Sequence, residues 1–298
     1  MTDLVSVIIP TYNRAAFISE SINSVLKQTY DELECIVIDG GSDDGTRELL
    51  ADFEDDRLQL HFRDGPLGIA NARNFGIQSS QGNYIVFLDD DDRMYPNAVE
   101  TLLDTIDTRP LECAGVFTAQ RIVSESGDTQ VKEVPQGRIE EFEEVSVSGF
   151  SCTLIKREVF EQIGYIDESF PACEDSDLWI RILSKFFMVG LNKVLYDRMV
   201  HDNQTIRDDE KMVEGKRRLL EKHNATLSNS YKITQRRAIF RSLLRLERFG
   251  EARSELRTLM REDRLRKHYL YYYFWLLLGA SGYKIGRRLH HDVYNSLD

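Results

Sequence analysis

Four consecutive carboxylates, Asp89-Asp90-Asp91-Asp92, follow directly on Tyr84-Ile85-Val86-Phe87-Leu88. The five apolar and aromatic residues read as a buried strand, so the charges begin where the chain must leave a sheet. Like charges held this close repel one another and need a cation or a solvated loop. Their hard oxygens suit Mg²⁺ or Mn²⁺, with water and substrate phosphates completing the shell. The plain alternative is an acidic turn without a ligand. Other strand ends carry groups of related use. A strand at residues 5–9 stops at Pro10-Thr11-Tyr12-Asn13-Arg14, one at 34–38 stops at Asp39-Gly40-Gly41-Ser42, and a helix opening at Gly68 carries Arg73. Tyr12 offers a stacking face, Asp39 an acceptor, Arg73 a fixed cation for phosphate, and Asp89 to Asp91 a metal site. A nucleoside diphosphate requires that combination.

The elements that must position these groups alternate. Strands at 5–9, 34–38, 58–62 and 84–88 are separated by helical patterns, a period of about thirty residues that predicts a parallel α/β sheet. In such a sheet the strand ends lie along one edge, where ligands bind. Beyond residue 110, residues 114–118 and 121–123 read as two strands followed by a polar excursion over 124–147. Residues 150–155 read as another strand, and 157–163 as a helix stopped by Gly164. Leu178, Ile182 and Leu183 give the next helix its apolar face and put Glu174 and Asp175 at its N-terminus. The simplest role for these two acids is to cap that helix. Trp179 and Arg181 are assigned to packing and a structural ion pair. His201 follows the strand-like 195–200 and, as a lone histidine, is structural by default.

The series Pro10-Thr11-Tyr12-Asn13-Arg14, Asp39…Ser42…Asp44-Gly45-Thr46, Ala72-Arg73-Asn74 and Leu88-Asp89-Asp90-Asp91-Asp92 resembles glycosyltransferase family 2, over about residues 5–201. The resemblance implies the GT-A fold: a Rossmann-like, mostly parallel sheet flanked by helices, here with a C-terminal helical extension. It also implies a metal-dependent, inverting transfer from a nucleoside-diphosphate sugar. On that reading Pro10, Thr11, Tyr12, Asp39, Arg73, Asp89, Asp90 and Asp91 line the donor site. Asp89-Asp90-Asp91 becomes the D-x-D element, with Asp90 near the ribose and Asp91 on Mg²⁺ or Mn²⁺. Asp175 matches the family's catalytic base, and His201 matches a histidine that approaches the metal or diphosphate. The chain departs from the pattern at Gly40, where many members carry a second aspartate that contacts the base, so the base stays open.

The 298 residues carry a net charge of -12, but residues 207–298 hold 21 Lys/Arg against 12 Asp/Glu, leaving -21 on 1–206. An acidic body excludes nucleic acid as its ligand, whereas a basic tail can meet an anionic surface. The expected division is 1–110 for the nucleotide sugar, 111–206 for the acceptor, and 207–298 as a basic helical extension. The uncharged, aromatic stretch 269–283 is too short to span a bilayer. It suits a membrane interface, a buried helix or a subunit contact. The four cysteines are scattered, and the N-terminus runs straight into a strand, so the expected location is the cytosol, at the inner face of the cell membrane. The expected acceptor is a hydroxyl of a growing, lipid-linked glycan. Alternatives are a soluble transferase acting on a protein or small molecule, and a silent nucleotide-sugar-binding scaffold. Nucleotidyl transfer would want a Gly-rich, Lys-bearing loop after the first strand, and Pro10 to Arg14 is not one.

Overall fold

A computed structural model describes residues 3–145, 149–201 and 208–263, together with Tyr273, Trp275 and Leu277. The chain divides into two compact units, one of residues 1–169 with 174–202 and one of residues 170–173 with 203–298.

The first unit opens with β1 (Val5–Thr11), α1 (Ile18–Leu26), β2 (Leu33–Asp39), α2 (Thr46–Ala51), β3 (Leu58–Phe62), α3 (Ile69–Ser79) and β4 (Tyr84–Phe87). It continues through β5 (Arg93–Met94), α4 (Ala98–Asp107), β6 (Cys113–Ser124), β7 (Thr129–Lys132), β8 (Gly137–Ile139) and α5 (Phe142–Val145). It closes with β9 (Thr153–Lys156), α6 (Arg157–Ile163), α7 (Glu174–Leu183) and β10 (Phe187–Val200). Among the described residues one sheet runs in the order β3-β2-β1-β4-β9-β6-β10-β5, with β7 added to β6 and β8 to β10. β1 and β2 are buried at every position, as expected for parallel strands covered on both faces.

The sheet is parallel from β3 to β4 and again between β6 and β10, while β9 runs antiparallel between β4 and β6. Two antiparallel steps leave β6 and β10 pointing the same way as β4. Every C-terminal end that matters therefore reaches the same edge. The registers set the alignment: Thr11 sits opposite Asp39, and the Leu88 N–H donates to Ile8 O at 3.0 Å. One expectation is corrected here. Residues 114–118 and 121–123 are not two strands but parts of the single strand β6. Ala119 and Gln120 are buried within it, and the irregularity falls on the partner, where β10 shifts register between Leu191 and Asp197.

α3 lies unusually close to the sheet. A Cβ at Gly76 would come within 2.5 Å of Ile8 Cγ2 and 2.9 Å of Ile38 Cδ1, so only hydrogen fits where α3 crosses β1 and β2. Arg73 is one turn earlier on the same helix.

In the second unit α8 (Asp209–Lys222), α9 (Asn229–Arg245) and α10 (Phe249–Glu262) bury Val213, Leu219, Ile239, Phe240, Leu243 and Leu256. Asp208 and Ser228 cap α8 and α9 by accepting the N–H groups of Lys211 and Tyr231. The break between α9 and α10 is made by Glu247, in the left-handed region at φ 55°, rather than by Gly250, which lies inside α10. Several of the basic side chains face acids, as in Arg217–Glu251, Arg236–Glu255 and Arg245–Asp209. Of these, Arg217–Glu251 is an exposed pair of the kind that contributes about 0–1 kcal/mol, whereas Glu255 is buried. The stretch 269–283 lies outside the described residues except at Tyr273, Trp275 and Leu277. Among the described residues no helix is long and apolar enough to cross a membrane.

The packing at Gly76 predicts that Gly76→Ala lowers stability by about 1–3 kcal/mol, the usual cost of overfilling a core. Urea unfolding measures it. A change within about 0.5 kcal/mol, the range of neutral surface changes, would show that α3 slides freely on the sheet.

Candidate functional site

The acidic turn after β4 is held by a separate partner for each carboxylate. Asp89 meets Arg73 Nη2 at 2.7 Å, and Asp90 meets Arg14 Nε at 3.4 Å. Asp91 Oδ2 lies 2.7 Å from His201 Nε2, and Asp92 Oδ1 accepts the Met199 N–H at 3.1 Å. The turn closes on itself through the Asp92 N–H to Asp89 O. Ser21 of α1 puts its hydroxyl 2.8 and 2.6 Å from the carbonyls of Asp90 and Asp92. Ser151 accepts the Asp89 N–H at 3.0 Å. Burial pushes the Asp90 carboxyl up to about 7; the charge of Asp91 adds to the rise and Arg14 opposes it. Burial pushes Asp92 well above the carboxylate range, with Asp89 and Asp91 reinforcing it. Burial first, and the neighbouring carboxylates second, thus raise Asp90 and Asp92, the two effects that disfavour a charged carboxylate.

His201 is 4% exposed and stacks on Phe17, with ring centroids 4.7 Å apart and planes 14° from parallel. β10 runs parallel to β6 and delivers His201 to the edge where Asp91 stands, 110 residues earlier in the chain.

Arg73 is buried at 3% exposure and bridges two acids. Nη2 reaches Asp89, and Nη1 reaches Glu174 Oε1 at 2.8 Å, while the guanidinium lies 4.5 Å from the Phe150 ring centroid. The sequence offers Arg73 as a cation for phosphate; in the structure its two terminal nitrogens are on carboxylates. Burial raises the Glu174 carboxyl, and Arg73 opposes the shift. Glu174 is thus tied to α3 and β4 through Arg73 rather than standing only as a helix cap. Asp175, next along α7, is half-buried, and its Oδ1 accepts the Ser176 N–H at 2.6 Å. Trp179 is 1% exposed against Phe150. Arg181 pairs with Asp177 at 2.9 Å one turn away, which gives both residues the structural roles read from the sequence.

At the other end of the edge, Tyr12 is 44% exposed, with its ring open to a stacking partner. Pro10 and Thr11 are buried in β1, and Thr11 O accepts the Gly40 N–H at 2.8 Å. Asp39 stands apart from the expectation of a group facing the donor. It is 1% exposed, and its carboxylate accepts from the Gly41 and Ser42 N–H groups and from Arg47 Nε at 2.6 Å. Here it shapes the loop after β2. A Cβ at Gly40 would meet Leu67 N and Thr11 O at 3.4 Å.

Sequence reasoning gave no role to Arg14, Phe17, Ser21 or Ser151. Arg14 alone carried a signal, closing the motif at 10–14. Phe17 reads as one more apolar position of a helix, and the serines have no pattern to mark them.

The profile described as Glycosyl transferase family 2 matches residues 6–164. An uncharacterized glycosyltransferase of Rickettsia typhi is 31% identical over 211 residues, 68% of this chain and 65% of its own. The chain therefore spans just under two thirds of that relative's length. The Escherichia coli UDP-Glc:alpha-D-GlcNAc-diphosphoundecaprenol beta-1,3-glucosyltransferase WfgD is 44% identical over 97 residues, 33% of this chain and 38% of its own. Among solved structures, Staphylococcus aureus TarS 1-349 in complex with UDP-GlcNAc superposes with a TM-score of 0.66. It is 18% identical and covers 98% of this chain and 91% of its own.

Removing Arg73 leaves Glu174 buried without its cation. Arg73→Met is expected to cost about 3–5 kcal/mol, as breaking one side of a buried pair does. Adding Glu174→Leu should recover part of that loss, because the stranded charge is then gone. A loss below about 1 kcal/mol for the single variant, the scale of an exposed pair, would mean that the bridge is solvated. Denaturant unfolding of the two variants reads both outcomes.

Proposed function

Because the chain belongs to glycosyl transferase family 2, we propose that it transfers a sugar from a nucleoside-diphosphate donor to a hydroxyl of a growing glycan carried on a lipid diphosphate. The observation that carries this reading is the meeting of Asp91 and His201 at 2.7 Å, beside the Asp89–Arg73–Glu174 bridge that leads to Asp175. The relatives support the same class: WfgD is named for a glucosyl transfer to a GlcNAc-diphosphoundecaprenol, and TarS has been solved with UDP-GlcNAc.

The mechanism is a single displacement with inversion. Asp175, half-buried at the start of α7, takes the proton of the acceptor hydroxyl as its oxygen attacks the anomeric carbon. The bond from that carbon to the diphosphate oxygen breaks as the new one forms, and the diphosphate leaves with the electron pair. Tyr12 stacks on the donor's base. Arg14 and Arg73 keep Asp90 and Asp89 compensated, so the turn stays folded beneath the donor.

Asp91 supplies a hard carboxylate oxygen of the kind that suits Mg²⁺ or Mn²⁺. His201 would add an imidazole nitrogen, a ligand of transition metals, so the pair favours Mn²⁺ over Mg²⁺. Among the described residues no group of three or more acids, histidines or cysteines that could hold a metal converges, so an ion here would need its other ligands from water and substrate phosphates. Such an ion would neutralise charge developing on the departing diphosphate. The bonded arrangement of Asp91 and His201 also holds without it.

For a lipid-linked acceptor the active edge must work close to a bilayer. We assign that contact to the basic C-terminal extension, at the cytoplasmic face of the membrane. A soluble acceptor remains the second reading, favoured by the several arginines of the second unit that already face acids.

Asp175→Asn should lower the transfer rate by about 10²–10⁴, the usual contribution of a general base, while donor affinity stays within about twofold. Transfer to a synthetic prenyl-diphosphate-sugar acceptor, with donor affinity measured by calorimetry, tests this. Near-normal transfer by the variant would remove Asp175 from the mechanism.

A further inference from the structure

Among the described residues, the acceptor half of the sheet carries two half-buried cations that reach neither an acid nor any other acceptor. Lys132 ends β7 and pairs across to Gln120 of β6. Arg198, on the other side of β6, pairs with Ile122. Side chains two residues apart on a strand share a face, so Lys132, Gln120, Ile122 and Arg198 line one face. The Tyr196 hydroxyl donates to Gln120 Oε1 at 3.2 Å, which fixes the same face for β10. Both cations are half-buried. Burial holds the Lys132 ammonium below its ordinary range, and the charge of Arg198 adds to the effect.

In a unit this acidic, an unmatched pair of cations is unexpected. The other half-buried arginines and lysines described there each reach an acceptor, as Arg47 does on Asp39, Arg121 on Asp197 and Arg157 on the carbonyls of Ile77 and Gly82. Among the described residues Lys132 and Arg198 have no hydrogen-bond or ion-pair partner. Two like charges that feel each other in partly desolvated surroundings are unfavourable until an anion lies between them. Their position is also informative. The residue after Arg198, Met199, gives its N–H to Asp92, and His201 is three residues along. The pair therefore flanks the acidic turn on the side away from the base-stacking Tyr12.

We propose that Lys132 and Arg198 form a diphosphate-binding subsite that grips the anchor of the acceptor, leaving its terminal sugar to reach Asp175. The subsite rests on the glycosyltransferase reading for its substrate but not for its chemistry. Two cations on one face, one an arginine able to fork onto two oxygens, suit a diphosphate, which carries more charge and more acceptor oxygens than a single carboxylate.

Inorganic pyrophosphate, titrated calorimetrically into the full chain in EDTA, is the probe. The expected result is saturable binding that weakens about tenfold in Lys132→Met and about tenfold in Arg198→Met, the scale of one charge-assisted hydrogen bond. Melting temperatures should stay level or rise, since each change removes a repulsion. No pyrophosphate binding, or binding equal in wild type and variants, overturns the proposal. Sedimentation with phosphatidylglycerol vesicles separates the other source of phosphate. If the variants lose vesicle binding but keep pyrophosphate affinity, the pair is a lipid-surface contact and the subsite is refuted. Binding of UDP, GDP or dTDP with Mn²⁺ is followed in parallel. Its absence in wild type would count against the glycosyltransferase reading, whereas the variant comparison counts for or against the subsite alone.

Discussion

Four carboxylates in sequence at the end of a buried strand are a physical problem before they are a site. At contact distances and low effective dielectric, each pair of such charges repels by several kcal/mol, and a turn left to itself would open into water. Here each acid is met by a different residue: Arg73 from α3, Arg14 from the loop after β1, and both His201 and the Met199 N–H from the end of β10. The fold around this edge can be understood as the means of delivering those four partners. The parallel β1, β2 and β4 bring the loops together. The antiparallel β9 reverses the chain so that β10 returns in the direction that puts Met199 and His201 beside the turn.

The same compensation joins the acidic turn to α7. Arg73 is shared between Asp89, in the turn, and Glu174, at the start of the helix that carries Asp175. The bridge is buried against Phe150, which itself packs on Trp179 of α7. Because both ends of the guanidinium are committed, the position of α7 depends on the acidic turn and on α3. Gly76 enters for the same reason: only a glycine lets α3 come close enough to β1 to hold Arg73 at this depth. Within the first unit the acidic turn, α3 and α7 are thus coupled through charge matching.

The sequence made much of this legible. Strand endings and apolar periodicity located β1 to β4, because hydrophobic patterning and turn chemistry agree there. The acidic turn, Tyr12 and the start of α7 were visible as residue types at element ends. Pairings across long separations were not: nothing in the sequence says that Arg73 turns toward Glu174, 101 residues away, or that Arg14 belongs to Asp90. β6 was divided in two because a buried glutamine in a long strand looks like a break, and only the neighbouring β10 explains its tolerance. Asp39 looked like a group aimed outward because its polarity was readable, whereas its capture by Gly41, Ser42 and Arg47 is a matter of loop geometry.

The central claim is that the edge bearing Tyr12, Asp91 and His201 binds a nucleoside diphosphate with a divalent ion. The most direct test is thermal unfolding of the purified chain with UDP, GDP or dTDP, each with and without Mn²⁺, in wild type and in Asp91→Ala. The account predicts that one nucleotide stabilises the wild type only when Mn²⁺ is present, by about 2.7 kcal/mol at 100 times its dissociation constant, and that Asp91→Ala removes the effect. Stabilisation that ignores the metal, or that survives in Asp91→Ala, would contradict it.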